Sequence, residues 1–506
     1  MENKEYVIGI DIGSSNVVMA VGERNENGEL TVLGVDVQDA GDSVKDGNIT
    51  NYLELGKVIK RAKSALESEL GLQLNSAYVG VSGRSVYCVR SEDYVDINTR
   101  MSCVTDVEMR ELNSRIEMVT PAGGDMIIQR IPLRYDVDNQ EVQNPLGAFG
   151  RKLTATYLFV LISRHMEDLV KRAMHQAEIK VSGLCVSPTL LPDVLLTAYE
   201  KEEGVVIVDI GSDLTDISIV RENKLWYFVS LPIGASSINN DLHDFLKISK
   251  KEINSLKHRY GSAIAEAVPD NTSISVKTAG HAKKQILQRN IAEIAEERLK
   301  DIAQFVLREL KAAKFSTKVP CGVVLTGGSA YLDNIDKLFA RELNMEVRLG
   351  DMLNGLDDNS QQSISAYPQS VVMGLLLYGA NHHACETTPG VPVPPIYTPA
   401  EPTNVPPIAP VSAPVEQKKE PIVEAPKEEE PTPPTPPTSP VNSTNNQPPI
   451  QDEPEEKPED EQQDDDDVID DDDDKDGNDS NGGKSGWWTK VITWIDDRFE
   501  QKNDFI

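Results

Sequence analysis

Four residues, Asp-Ile-Gly-Ser, occur twice in this chain, at 11–14 and at 209–212. Each copy ends an apolar run, in YVIGIDIGSSNVVMAV at 6–21 and in VVIVDIGSDLTDISIV at 205–220, and a second apolar run leaves each turn. Gly13 and Gly211 lack a Cβ, so backbone N–H groups there can come close to an anion. Ser14, Ser15 and Thr215 add hydroxyl donors, and Asn16 and Ser212 lie in the same turns. Asp11 and Asp209 stand where the strands end. Two such turns facing each other would clasp a polyphosphate. Their carboxylates would hold Mg2+ and its waters beside it, because Mg2+ takes few protein carboxylates and several waters. A single Asp-x-Gly is more often just a tight turn after a strand. Two copies, each followed by a hairpin, favour the phosphate reading. A third stretch adds to it: Thr326-Gly327-Gly328-Ser329-Ala330 lies between a strand at 322–325 and a helix with Leu332, Ile335, Leu338, Phe339 and Leu343 inward. That order aims backbone N–H groups and a helix N-terminus at an anion or a sugar.

These turns need elements to position them. The polar turns Asn27-Gly28 and Glu222-Asn223-Lys224 predict a hairpin after each Asp-Ile-Gly-Ser. Leu55, Val58, Ile59, Ala62, Leu66 and Leu70 keep helical spacing over 53–70, stopped by Gly71, and a strand follows at 77–81. From 84 to 162 the pattern changes to an α+β insertion, with strands at 86–89, 126–132 and 153–161 around a helix at 106–118. Helix 164–178 and a strand at 181–186 return to the first unit. A polar, helical insertion follows Pro232-Ile233-Gly234. A long helix is expected from Asn290, capped by Asn290 with Glu293, to about Ala313. Gly374, in SVVMGLLLYGA, predicts close packing of a last buried helix.

Of the net charge of −32, half lies between Asp452 and Asp479, where 18 acids meet 2 bases. The rest is mildly acidic and lacks the basic face of a nucleic-acid binder. Five scattered cysteines without a CxxC read as reduced thiols in a cytoplasmic setting. No apolar run is long enough to span a membrane. Between Pro389 and Pro458 lie 22 of the 31 prolines, so 381–485 reads as a disordered linker, first proline-rich and then acidic. After it, Trp488, Val491, Ile492, Ile495 and Phe499 share a helical face flanked by Trp487 and Trp494. A tryptophan-tipped amphipathic helix on a long tether fits a membrane-surface anchor; docking on a partner or on the chain's own body is the alternative.

The two phosphate turns, the TGGSA motif and the Gly374 helix resemble the actin/Hsp70/sugar-kinase superfamily. Within it, residues 5–380 are similar to the bacterial cell-division FtsA family. The stretches that carry this are GDSVKDGNITN at 41–51, YVGVSG at 78–83, RIPLRYDVD and QNPLGAFG in the first insertion, LKHRYG at 256–261 and AEIAEERLKDI at 292–302. The resemblance implies an α/β, actin-like two-domain ATPase fold, built from duplicated RNase H-like β-β-β-α-β-α units. Subdomain 1A would comprise 1–83 and 163–204, with 1C inserted at 84–162. Subdomain 2A would comprise 205–235 and 306–380, where the chain also returns to 1A, with 2B at 236–305. The linker and a membrane-targeting helix at 486–506 would follow.

It further implies ATP and Mg2+ between the domains, with Asp11 and Asp209 as metal-water ligands, Lys257 at the ribose, and Gly327, Gly328 and Ser329 at the nucleotide. Implied partners are further copies of the chain in head-to-tail filaments, the FtsZ C-terminal peptide on 2B (near Arg298 and Arg289), the membrane lipid surface and later division proteins. The setting would be the inner face of the cytoplasmic membrane at the division site. Several positions depart from the family pattern. Asp213 replaces a glycine and Leu214 a threonine in the second turn. The turn after Pro232 reads IGASS, and Asn254 stands where a glutamate is frequent. They predict ATP binding with slow or negligible turnover, and no residue is assigned to activate water. An Hsp70-like ATPase would need a β-rich domain where the linker lies, and a small-molecule kinase would need a catalytic acid. A PilM-like pilus-assembly adaptor would not need this tail.

Overall fold

The computed structural model describes residues 5–389, apart from 26–28, 99–100, 278–282, 316–317, 352–353, 358–359 and 361–365. The Asn27-Gly28 turn, the linker from 390 onward and the tryptophan-rich C-terminus lie outside the described residues. β1 (Tyr6–Ile12) and β2 (Asn16–Arg24) pair antiparallel across the first Asp-Ile-Gly-Ser turn, and β3 (Leu30–Asp39) extends the meander. A short hairpin of β4 (Val44–Lys45) and β5 (Asn48–Ile49) turns on Asp46 and Gly47, with φ of 49° and 71°. Asn51 caps α1 (Tyr52–Leu70) by accepting from the Leu53 and Glu54 amides, and Gly71, left-handed at φ 64°, ends it. β6 (Leu72–Leu74) and the fully buried β7 (Ser76–Val81) follow.

The first insertion is a unit with its own core. β8 (Val86–Asp96), α2 (Asp106–Met118), β9 (Met126–Val137), β10 (Gln140–Val142) and β11 (Lys152–Ile162) form a sheet in the order β10-β9-β11-β8. Leu112 and Ile116 of α2 pack on Val137, Leu153 and Phe159, in a cluster separate from the main core. β10 has no apolar alternation to announce it. α3 (Arg164–Gln176) and β12 (Lys180–Val186) return to the first sheet, whose order is β12-β7-β1-β2-β3. α4 (Ser187–Leu195) and α5 (Ala198–Glu203) lead to the second lobe.

That lobe repeats the first. β13 (Val205–Ile210) pairs antiparallel with β14 (Thr215–Arg221), which pairs with β15 (Lys224–Leu231). After α6 (Ala235–Leu246), α7 (Lys250–Tyr260), β16 (Ser273–Lys277), β17 (Lys283–Leu287) and α8 (Gln288–Ala312), β18 (Val323–Thr326) runs parallel to β13. α9 (Ile335–Leu343) and β19 (Val347–Leu349) complete the order β15-β14-β13-β18-β19, the same connectivity as the first sheet. The expected Asn290–Glu293 cap is not made: α8 starts two residues earlier, with no side-chain cap at Leu287. The Gln288 amide donates to Thr272 O beside the neighbouring strand, and Glu293 pairs with Arg289 instead.

α10 (Ala366–Ala380) brings the chain back across β1 and α4. A Cβ on Gly374 would lie 2.8 Å from Leu190 Cβ, and one on Gly9 2.9 Å from Leu375 Cβ, so glycines set how closely α10 approaches both. Composition starts the linker at 381, but the globular unit continues to 389. β20 (Thr387–Pro389) pairs with β6, the Cys385 amide donates to Tyr6 O, and the Tyr78 hydroxyl donates to His383 O. Backbone pairing there outweighs the absence of apolar periodicity.

Candidate functional site

Both Asp-Ile-Gly-Ser turns close in the same way. Gly13 N–H donates to Asn16 O and Gly211 N–H to Leu214 O, so an anion would meet the amides that follow each glycine. The turns open on one cavity of about 580 Å3 between the two sheets. Asp11 to Asn16 line it from the first lobe, while Asp209, Gly211 and Ser212, Gly327 to Ser329, and Lys257 of α7 line it from the second. Gly327 has a φ of 88°, and a Cβ there would sit 2.3 Å from Asp209 Oδ1, so the double-glycine turn lies directly on that carboxylate. α7 is held by a capping box of Ser249 with Glu252, and presents Asn254, Lys257 and His258, one helical face, to the cavity.

The charge is lopsided. Five aspartates (11, 39, 209, 213 and 216) line the cavity; Lys257 is the one lysine among the described lining residues, which include no arginine. Burial, reinforced by Asp216, pushes Asp11 up to about 7. Asp209 is raised well above the usual carboxylate range by burial and by the charges of Asp216 and Asp11. Burial also raises Asp216, against hydrogen bonds from Ser230 and Ser82 that favour its ionised form. Burial pushes Lys257 down to about 8. Carboxylates crowded in this way, with almost no fixed cation, call for a mobile one. No group of three or more His, Cys, Asp or Glu gathers into a metal site among the described residues. The donor set therefore suits Mg2+ held by Asp11 and Asp209 with water and phosphate, not an all-protein cage.

Four buried side-chain atoms lack a hydrogen-bond partner among the described residues: Asp216 Oδ1, Asn239 Oδ1, Ser329 Oγ and Gln369 Oε1. All four residues line this cavity. Buried polar groups are otherwise nearly always paired. Three of the four are pure acceptors, so the cavity is built for donors such as ribose hydroxyls, an amino group or metal-bound water.

One expected residue is elsewhere. Thr215 is fully buried and donates its hydroxyl to Ile233 O at 2.7 Å, away from the cavity. The strand pleat explains this: side chains alternate faces, so Leu214 and Asp216 point to the cavity and Thr215 to the core. Asp216, not assigned from sequence, sits directly opposite Asp209 in the β13–β14 ladder, and Ser82 of the first lobe donates to its Oδ2 at 2.5 Å. The equivalent partner of Asp11 is Val18, so the second turn alone carries the extra acid. The signal was the last residue of DIGSDLTD, seven positions after Asp209. Arg298 lies in α8, outside the cavity. Its Nη2 and Nε reach Asp241 Oδ2 at 2.6 and 2.9 Å, and its Nη1 reaches Asp301 at 3.1 Å. Arg289 pairs with Asp270 and Glu293.

Two lobes of identical strand order with a shared cavity at their repeated turns define an actin-like α/β protein, here carrying an inserted α+β unit. Residues 206–367 match the family described as cell division protein FtsA, and 83–161 match the SHS2 domain inserted in FtsA. The chain is 29% identical over 383 residues to the cell division protein FtsA of Pseudomonas aeruginosa, covering 75% of this chain and 90% of that one. It is 26% identical over 392 residues to that of Escherichia coli K12, covering 75% and 92%. Among solved structures, the PilM-PilN type IV pilus biogenesis complex superposes with a TM-score of 0.53 at 14% identity, covering 74% of this chain and 98% of that one, a likeness of fold alone. Over these stretches, and over three quarters of its length, the chain is similar to FtsA cell-division proteins.

Proposed function

We propose that this chain binds ATP with Mg2+ between its lobes, polymerises head to tail and anchors FtsZ filaments to the cytoplasmic face of the membrane at the division site. The observation that carries the nucleotide part is the convergence of all four partnerless polar atoms on the cavity where the two repeated turns meet. Asp11 and Asp209 would hold the metal, the turn amides with Ser14, Ser15 and Ser212 the phosphates, and Lys257 with Asn254 and His258 the sugar end. The cation supplies the charge that five aspartates withhold from a polyphosphate.

The first insertion is the assembly surface in this reading. Met101 and Phe149 there are 72% and 77% exposed, and the neighbouring segments pair through Cys103 and Phe149. The FtsZ C-terminal peptide docks on 236–305. Its carboxylates exchange with Asp241 and Asp301 for Arg298, and with Asp270 and Glu293 for Arg289. The tail from Trp487 to Phe499 holds the filament to lipid. Calorimetry with Mg-ATP tests the site: Asp209→Ala is expected to weaken binding at least tenfold with the circular dichroism spectrum kept, and unchanged affinity would refute the assignment. On a lipid monolayer, electron microscopy is expected to show ordered filaments with ATP that recruit FtsZ.

A further inference from the structure

The phosphate end of the cavity contains a tie between the lobes. Asp213 Oδ2 accepts from the Asp46 amide at 3.0 Å, across 167 positions of sequence. Its other oxygen, Oδ1, accepts from Ser212 Oγ at 3.3 Å. Asp46 and Gly47, both left-handed, form the tip of the β4–β5 hairpin. The hairpin reaches the first turn too, since the Gly47 amide donates to Ser14 Oγ at 3.1 Å. The tip is tightly wedged: a Cβ on Gly47 would lie 2.6 Å from Gly83 Cα and 2.7 Å from Leu214 Cδ1. One short hairpin thus touches both turns, and Asp213 joins it to the second.

A carboxylate that faces the cavity and accepts from a backbone amide and a serine hydroxyl does what a terminal phosphoryl oxygen would do. Both are anions, and both seek the same N–H and O–H donors. They cannot share the place, because like charges at close range repel strongly in a partly buried site. We propose that Asp213 stands in for the terminal phosphoryl group of a nucleoside triphosphate, so that the site as folded takes a diphosphate and a triphosphate enters only by breaking the Asp213–Asp46 tie. Asp213 is then the residue that sets the ratio of triphosphate to diphosphate affinity, and the β4–β5 hairpin is the segment that reports which nucleotide is bound. The inference rests on the nucleotide reading of the cavity.

The test uses the full chain with Mg-ADP and a non-hydrolysable Mg-ATP analogue, titrated by calorimetry against wild type, Asp213→Gly and Asp213→Asn. Triphosphate affinity is expected to rise about tenfold in Asp213→Gly, which loses both charge and tie, and by less in Asp213→Asn, which can still accept from Asp46 (tenfold being one decade in Kd, ~1.4 kcal/mol). Diphosphate affinity is expected to move less than twofold, which also shows that the variants fold. In wild type, hydrogen exchange over 44–49 is expected to speed up with the triphosphate and not with the diphosphate. Equal shifts for both nucleotides, or nucleotide-independent exchange, would overturn the inference alone. Weaker triphosphate binding in both variants would make Asp213 a metal or phosphate ligand and likewise overturn it. If neither nucleotide binds wild type, the reading of the cavity fails and the inference falls with it.

Discussion

Asp11 and Lys257 face the same cavity with opposite displacements, the acid raised to about 7 and the amine lowered to about 8, each chiefly by burial. In the proposed site the acid would have to be ionised to hold a metal, and the amine charged to attract the nucleotide. Mg-ATP affinity should therefore rise as pH passes 7 and fall again above 8. Calorimetry from pH 6 to 9 checks this, and a flat profile would separate both groups from the ligand. The same displacements set the linkage of stability to pH. A raised acid contributes stability below its unfolded value of 3.8 that is lost as pH climbs through 7, so Asp11 makes the ligand-free protein less stable across that window. The lowered Lys257 acts the other way: stability is regained as pH rises from 8 toward 10.5, where the neutral amine no longer resists burial. Thr215 gives a contrasting test. Its hydroxyl serves Ile233 O, so Thr215→Val should cost about 1–3 kcal/mol of stability by leaving a buried carbonyl unpaired. Mg-ATP affinity should stay as it was. A large loss of affinity without loss of stability would put the hydroxyl back at the phosphates.

At the scale of elements, α10 joins the lobes. It lies on β1 through Gly9 and on α4 through Gly374, whose absent Cβ leaves room for Leu190. Gly374→Val would force those helices apart. Overpacking of this kind costs about 1–3 kcal/mol. A clear fall in Tm is expected, together with weaker nucleotide binding, because α10 also carries Gln369 and Ser370 to the cavity. Unchanged thermal unfolding would mean that the helix pair has slack the close contact does not suggest. The first insertion behaves differently. Its core of Leu112, Ile116, Leu153 and Phe159 is separate from the main one, so substitutions there should leave the cavity intact.

At the scale of the whole molecule, the proposed membrane anchor makes the tail the part that would decide where the protein acts. The described residues end with β20 paired to β6. Near the C-terminus, Lys484, Lys490, Arg498 and Lys502 are matched by Asp496, Asp497, Glu500 and Asp504. With no net charge and an acidic run before it, such a segment would bind lipid by burying Trp488, Ile492, Ile495 and Phe499, not by attraction to anionic headgroups. Trp488→Glu combined with Ile495→Glu should release the protein from liposomes. Raising salt should leave wild-type binding unchanged or stronger, because screening weakens only the repulsion. A tenfold loss of affinity on going to high salt would point to a basic anchor instead. Attachment should also depend on assembly, since many weak tails on one filament act together.

Local patterns were enough to find the repeated turns, α1 with its stop, and the inserted unit. Those features depend on hydrophobic period and turn chemistry within a few residues. Twelve of the thirteen residues assigned to the nucleotide from sequence line one cavity, because both turns lie at the ends of strands that the duplicated sheets bring face to face. The sequence did not show which side of β14 faces the cavity. That depends on register, which turned Thr215 into the core and set Asp216 opposite Asp209. Nor did it show the partners of Arg298, since Asp241 meets α8 only through the packing of α6 against it. Asp213 is in the sequence only a departure from the family pattern, and its bond to the Asp46 amide exists only because the fold brings the two lobes together. By itself the sequence determined the repeated turns and most of the elements around them. The tertiary structure alone decided which side chains share the cavity, because proximity across 167 residues follows from strand register and lobe packing and leaves no local trace in the sequence.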